Sequence, residues 1–174
     1  MGSPTCKKLF PHQDVDSLNA FYEDPRGRNG TYSTKWYAAN MVKWIPPYQM
    51  YYSDGLKTKF RYLMVHKKCL SVFQQAYKNV LDHFGQAKIS ELRLDISGGT
   101  FNYRLERGGS GLSVHSWGCA IDMDPGHNPF PHKWEKGMID PDFAQILEDT
   151  GLWWRGSDND DDPMHFQCCY RGDK

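Results

Sequence analysis

Asp122 stands inside an apolar run, Cys119-Ala120-Ile121-Asp122-Met123, whose residue types are those of a buried strand. A carboxylate taken out of water without a partner costs several kcal/mol or more, so any fold of this chain must bring a cation or hydrogen-bond donors to that point. His115 lies upstream across Gly118, a residue that lets the backbone bend, so an imidazole before the bend and the carboxylate on the strand can converge. Spacing alone leaves two readings of Asp122: an ion pair with Arg104 or Arg107, or a cation shared with His115.

A second element lies downstream, Asp162-Pro163-Met164-His165-Phe166. Two imidazoles and one carboxylate suit zinc and leave a fourth position open, which separates a catalytic metal site from a structural one. Asp162 is then placed to act as a base beside the metal. Taken singly, His115 and His165 read equally well as satisfied core or surface histidines; the joint pattern carries the reading. Three other features point to less. Ala120-Ile121-Asp122-Met123-Asp124 fits the start of a magnesium phosphohydrolase, but such enzymes need a long α/β domain after it, and only 50 residues follow Asp124. The acidic run 158–162 lacks the Gly and bidentate Glu of an EF-hand loop and reads as a solvated loop presenting Asp162. His127 and His132 fall in a Pro-rich loop, 125–131 and just beyond, where histidines are commonly exposed.

Composition bounds the rest. At 174 residues the chain suits one domain, with residues 1–60 as a segment wrapped round a core formed by 61–174. Lys+Arg and Asp+Glu both number 21, so no basic excess supports nucleic acid as a partner. No apolar run approaches the roughly 18 residues that span a bilayer, which argues against membrane insertion. The opening MGSPTCKKLFPHQD has no apolar core of a secretory signal, so synthesis in a cytosol is expected. Cys6, Cys69, Cys119, Cys168 and Cys169 have no metal-binding spacing and read as reduced thiols.

Residues 66–84 carry Cys69, Phe73, Ala76, Tyr77, Val80, Leu81 and Phe84 at three- and four-residue spacing, predicting a helix stopped by Gly85. A short helix is expected over 17–23, with most of the N-terminal segment irregular. Strands are expected over 89–96, 100–105, 117–123, 152–154 and 165–169, and a helix over 140–150 with Pro141 in its first turn. Segregated helices and strands favour an α+β fold, a small antiparallel sheet with helices packed on it. Trp117, Trp153 and Trp154 either wall a groove in that sheet or pack its core.

The compound motif Ser113-x-His115-x-x-Gly118-x-Ala120-x-Asp122, followed by Asp162-x-x-His165-Phe166, resembles the D-alanyl-D-alanine carboxypeptidase and L-alanyl-D-glutamate endopeptidase family. These VanY-like zinc peptidases cleave peptidoglycan stem peptides and share a fold with lysostaphin-type peptidases and the hedgehog signalling domain. Gly98-Gly-Thr-Phe-Asn-Tyr-Arg104, then Asp124-Pro125 and Asn128, are similar to a phage-encoded branch rich in endolysins. The resemblance covers roughly residues 66–170, with a loose echo in Phe21-Tyr-Glu-Asp-Pro-Arg-Gly27. It implies His115, Asp122 and His165 as ligands of one zinc ion, and Asp162 as the catalytic acid/base. Arg104 becomes the residue that binds the scissile carbonyl, with Arg107 as the alternative, and Ser113 and Asp124 become supporting residues. Gln167 departs from the Glu that many members carry. The expectation is an L-alanyl-D-glutamate endopeptidase acting as a monomeric phage endolysin, made in the host cytoplasm and acting on bacterial peptidoglycan. A D-alanyl-D-alanine carboxypeptidase and a non-catalytic zinc-containing wall-binding module are the alternatives.

Overall fold

Three short helices open the chain, each started by a side chain that satisfies an otherwise orphaned backbone N–H. In the computed structural model, which describes residues 3–157 and 160–172, Ser3 Oγ accepts from Cys6 N–H at the head of α1 (Pro4–Leu9). Asp14 does so from Ser17 for α2 (Val15–Tyr22), and Ser33 from Trp36 for α3 (Thr34–Asn40). The segment expected to be mostly irregular is therefore largely ordered; its helices are too short to leave a periodic signature, and only their caps mark them. Strand β1 (Met41–Trp44) follows, then β2 (Tyr51–Tyr52) and β3 (Leu63–His66), and β1 and β3 pair as an antiparallel ribbon from Met41↔His66 to Trp44↔Leu63.

Helix α4 (Leu70–Glu91) buries Phe73, Ala76, Tyr77 and Val80 on one stripe. Gly85 breaks the helix at φ 68° without ending it. The strand expected over 89–96 is thereby displaced: Ile89 is buried on the resumed helix, Arg93 turns at φ 60°, and β4 (Ile96–Gly99) begins only afterwards. Leu92, Leu94 and Ile96 alternate because a helix end and a turn succeed each other, an accident of spacing that mimics a strand. Residues 100–105 are likewise not a strand; Leu105 makes one isolated bridge to Leu112. After β5 (Ala120–Met123), helix α5 (Pro141–Thr150) starts where Asp140 caps it and Pro141 fills the first turn. It lays Phe143 and Leu147 into the core beside α4, with the Tyr77 and Phe143 rings edge to face at 6.2 Å. Strands β6 (Trp153–Trp154) and β7 (His165–Gln167) complete an α+β architecture.

The main sheet runs β2-β4-β5-β7-β6. It is antiparallel except at β2–β4, which are parallel because the chain crosses over through β3 and α4 between them. Cys6, Phe10, Leu18, Tyr22 and Trp36 of the N-terminal segment join residues of α4, β5, α5 and β7 in one buried cluster. All five cysteines are free and fully buried. The Tyr22 hydroxyl lies among them, donating to the Cys168 carbonyl at 2.5 Å and accepting from Cys69 Sγ at 3.4 Å. No helix among the described residues is long and apolar enough to cross a membrane.

Gly118 joins the His115 turn to β5 at φ 67°, in the left-handed region, and a Cβ there would collide with the Met41 side chain and lie 3.1 Å from the His66 backbone nitrogen. The ribbon β1–β3 can close on this point, with His66 N–H donating to the Gly118 carbonyl at 2.8 Å, only because the side chain is absent. Gly118→Ala is expected to cost roughly 2–3 kcal/mol, measured by urea unfolding, from the left-handed backbone and the overpacking together.

Candidate metal centre

Strand register brings the first two site residues together. β5 and β7 pair antiparallel as Ala120↔Gln167, Ile121↔Phe166 and Asp122↔His165. Side chains alternate across a strand, so Asp122, His165 and Gln167 share one face while Ile121 and Phe166 point into the core. The third residue comes from a single 3-10 turn, Val114–Trp117, pinned by Ser113 N–H to the Arg104 carbonyl at 3.0 Å. His115 Nε2 thereby lies 3.2 Å from Asp122 Oδ1 and 3.2 Å from His165 Nδ1, and His165 Nδ1 lies 2.9 Å from Asp122 Oδ1.

The outward contacts fix which ring nitrogens carry hydrogen. A carbonyl only accepts, so His115 Nδ1 must donate to the Thr100 carbonyl at 2.6 Å, and its Nε2 keeps a lone pair for the centre. The Gln167 amide nitrogen donates to the Cys169 carbonyl at 3.0 Å, which turns Gln167 Oε1 towards His165. His165 Nε2 therefore donates to it at 3.0 Å, and Nδ1 keeps its lone pair. Three acceptor atoms thus crowd one point with no donor among them unless a ring takes a further proton. Burial pushes the Asp122 carboxyl up, but His115 and His165 outweigh it and hold Asp122 well below the usual carboxylate range. Burial opposes charge on His115 too, yet Asp122 and the Thr100 carbonyl raise it. Both shifts express the mutual attraction of the carboxylate and the imidazoles. A tetrahedral ion with bonds of about 2.0–2.1 Å needs ligand atoms about 3.3–3.4 Å apart, close to the spacing here, and this nitrogen and oxygen set suits zinc. Among the described residues this is the one group of His, Cys, Asp and Glu side chains placed to hold a metal.

A cleft of about 160 Å³ opens on the cluster, lined in part by Arg104, Arg107, Ser113, Phe130 and Asp162. Asp162 Oδ1 is buried without a hydrogen-bond partner among the described residues, and burial pushes its carboxyl upward. Asp122 forms no ion pair with Arg104 or Arg107; its side-chain partners are the two imidazoles. Arg104 is held through its backbone, N–H to Ser116 Oγ at 3.1 Å and carbonyl from Ser113 N–H, so its place depends on the turn that carries His115.

Asp124 does not support the ligands as the resemblance implied. At φ 39° it turns away at the end of β5, accepts from Arg93 Nε at 2.5 Å and lines a separate hollow with Tyr51 and Tyr52. Asn128 donates to the Met123 and Asp124 carbonyls and fixes that same turn. Trp117, Trp153 and Trp154 pack the interior and wall no groove; Trp117 donates to the Glu23 carbonyl and Trp154 stacks on Phe166. His127 and His132 bond to carbonyls of their own loop, Gly137 and Lys133. In the acidic run, Asp158 and Asn159 lie outside the described residues, while Asp160 is clamped by Arg155 and Arg171. Gln13, Phe130, Arg155 and Arg171 also line the cleft. Nothing local marks them, because their sequence neighbours share no spacing with the site.

Residues 107–168, the stretch that contains all three members of the cluster and Asp162, match the family model described as D-alanyl-D-alanine carboxypeptidase. No curated protein and no solved structure matches the chain. That match spans 62 of the 174 residues, and this stretch, with the His115, Asp122 and His165 cluster inside it, resembles the metallopeptidases of the D-alanyl-D-alanine carboxypeptidase family.

Proposed function

We propose that the protein is a zinc-dependent peptidoglycan hydrolase that cuts an L-alanyl–D-glutamate bond of the stem peptide as a phage endolysin. The observation that carries the reading is the meeting of three lone pairs, from His115, Asp122 and His165, beside Asp162, whose Oδ1 is buried without a hydrogen-bond partner among the described residues. Zinc at this point supplies Lewis acidity that polarises the scissile carbonyl and makes water nucleophilic near neutral pH. Asp162, desolvated and with its Oδ1 free of partners among the described residues, takes the proton from the attacking water and returns it to the leaving amine. Arg104, or Arg107 from the same cleft wall, donates to the carbonyl oxygen as negative charge develops on it. Ser113 acts through Arg104, whose carbonyl it holds.

The likeness of Gly98–Arg104 and of Asp124, Pro125 and Asn128 to the phage branch supports the endopeptidase and the lytic role. That role implies a monomer made in the host cytoplasm, reaching the wall at lysis, with no nucleic-acid partner and no membrane insertion. The description of the matching family favours a second reading, removal of the terminal D-Ala by a D,D-carboxypeptidase. A non-catalytic zinc module is disfavoured by Asp162 and Arg104, which a structural ion does not require.

Purified peptidoglycan incubated with the protein separates these readings when released fragments are identified by mass spectrometry. New amino termini on D-Glu, lost with chelator and restored by zinc, are expected; free D-Ala alone would establish the carboxypeptidase. His115→Ala should abolish stoichiometric zinc, read by metal analysis, and an unchanged metal content would overturn the ligand set. Asp162→Asn should retain fold and zinc yet lose at least about a hundredfold in turnover, as removal of a general base does. Undiminished hydrolysis by the zinc-loaded variant would sink the role assigned to Asp162.

A further inference from the structure

The N-terminal segment lies outside the stretch that matches the family model, yet it reaches the metal centre. Residues 11–13 run beside Tyr170 as a strand-like extension past β7. Tyr170 N–H donates to the Pro11 carbonyl at 3.0 Å, Gln13 N–H donates to the Tyr170 carbonyl at 2.8 Å, and the His12 and Tyr170 rings meet edge to face at 5.4 Å. This pairing delivers the Gln13 side chain to the fully buried Gln167, whose amide nitrogen donates to Gln13 Oε1 at 2.9 Å.

Gln167 has two N–H donors and one carbonyl oxygen within reach of partners, and all are used. The donors go to Gln13 Oε1 and the Cys169 carbonyl, and the oxygen accepts from His165 Nε2. The Cys169 carbonyl, which can only accept, holds the amide in this orientation, since turning it over would set oxygen against oxygen. Its orientation in turn fixes the His165 tautomer, leaving Nδ1 with the lone pair that faces Asp122 and His115. Groups that orient a metal-bound imidazole typically account for a ten- to hundredfold change in metal affinity.

We infer that Gln13 is a positioning residue for the metal centre, acting through Gln167 on the tautomer and aim of His165. The inference rests on the metal reading given above and extends it to a residue that no local motif marks. It also accounts for glutamine at position 167. A glutamate there would set a carboxylate oxygen against the Cys169 carbonyl, which can only accept.

The test is zinc binding by the apoprotein, measured by competition with a chromophoric chelator, with the absorption spectrum of the cobalt(II) form as a second readout. Gln13→Leu keeps the backbone bond to Tyr170 but removes the acceptor. It is expected to weaken zinc binding about tenfold and to alter the cobalt spectrum, with the melting temperature of the apoprotein unchanged. Gln167→Leu should weaken binding further, towards the upper end of that range. Gln13→Glu restores an acceptor and should return the wild-type spectrum with affinity at or above wild type. Wild-type affinity and spectrum in Gln13→Leu would overturn the inference, as would equal weakening in Gln13→Leu and Gln13→Glu. Weakened binding matched by a lower melting temperature of the apoprotein would show a merely structural role and overturn it as well. Failure of the wild-type protein to bind zinc would instead overturn the metal reading, and this inference with it.

Discussion

Lone pairs repel, and three of them face one another at the end of β5. The two ring nitrogens and the Asp122 oxygen stand 2.9–3.2 Å apart, each ring with its other nitrogen spent on a carbonyl or amide oxygen. Packing holds this cluster of acceptors in place, in a cleft whose walls carry Arg104, Arg107 and Arg155. The rest of the architecture can be understood as what is needed to hold it. Paired strands place Asp122 opposite His165, a bent turn at Gly118 returns His115 to the same spot, and the Thr100 carbonyl closes the far side of the His115 ring. The ordering cost of that arrangement is met by the buried apolar cluster behind Ile121 and Phe166.

Much of the centre was legible because its chemistry conflicts with its surroundings. A carboxylate among Cys119, Ala120, Ile121 and Met123 announces an unusual partner, and two distant histidines supply it. Helices α4 and α5 were legible for the opposite reason: stripe and cap agree with the structure they form. The displaced strand comes from alternation over a short window. Leu92, Leu94 and Ile96 alternate yet belong to a helix end, a left-handed turn and the first residue of a strand. The resemblance alone implies a supporting role for Asp124, whereas a left-handed backbone there ends the strand and the carboxylate accepts from Arg93.

What stayed hidden is long-range. Gln13 and Gln167 are separated by 154 positions, and neither residue type carries a signal of its own. Arg155 and Arg171 come together on Asp160 only because β6 and the segment after β7 lie side by side, a relation no window of sequence contains. Local composition shows where charge is misplaced, whereas the partners that correct it are chosen by topology. A short family match centred on the conflicting residues and silent about the N-terminal segment reflects the same division.

The five thiols around Tyr22 have a consequence for handling the molecule. Folded, each sulfur is sealed from solvent, and at Cys6, Cys119 and Cys168 burial pushes the thiol up and suppresses the thiolate through which oxidation proceeds. Unfolded, all five sulfurs are open to solvent, and Cys168 and Cys169, adjacent in the chain, meet any of the other three with little geometric preference. Protection is therefore a property of the fold and not of the side chains. A sample kept native in air remains in the thiol state, while one denatured in air accumulates wrongly crosslinked chains that cannot rebuild the cluster. Recovery of native protein from the denatured state then depends on a reductant being present before the denaturant is removed.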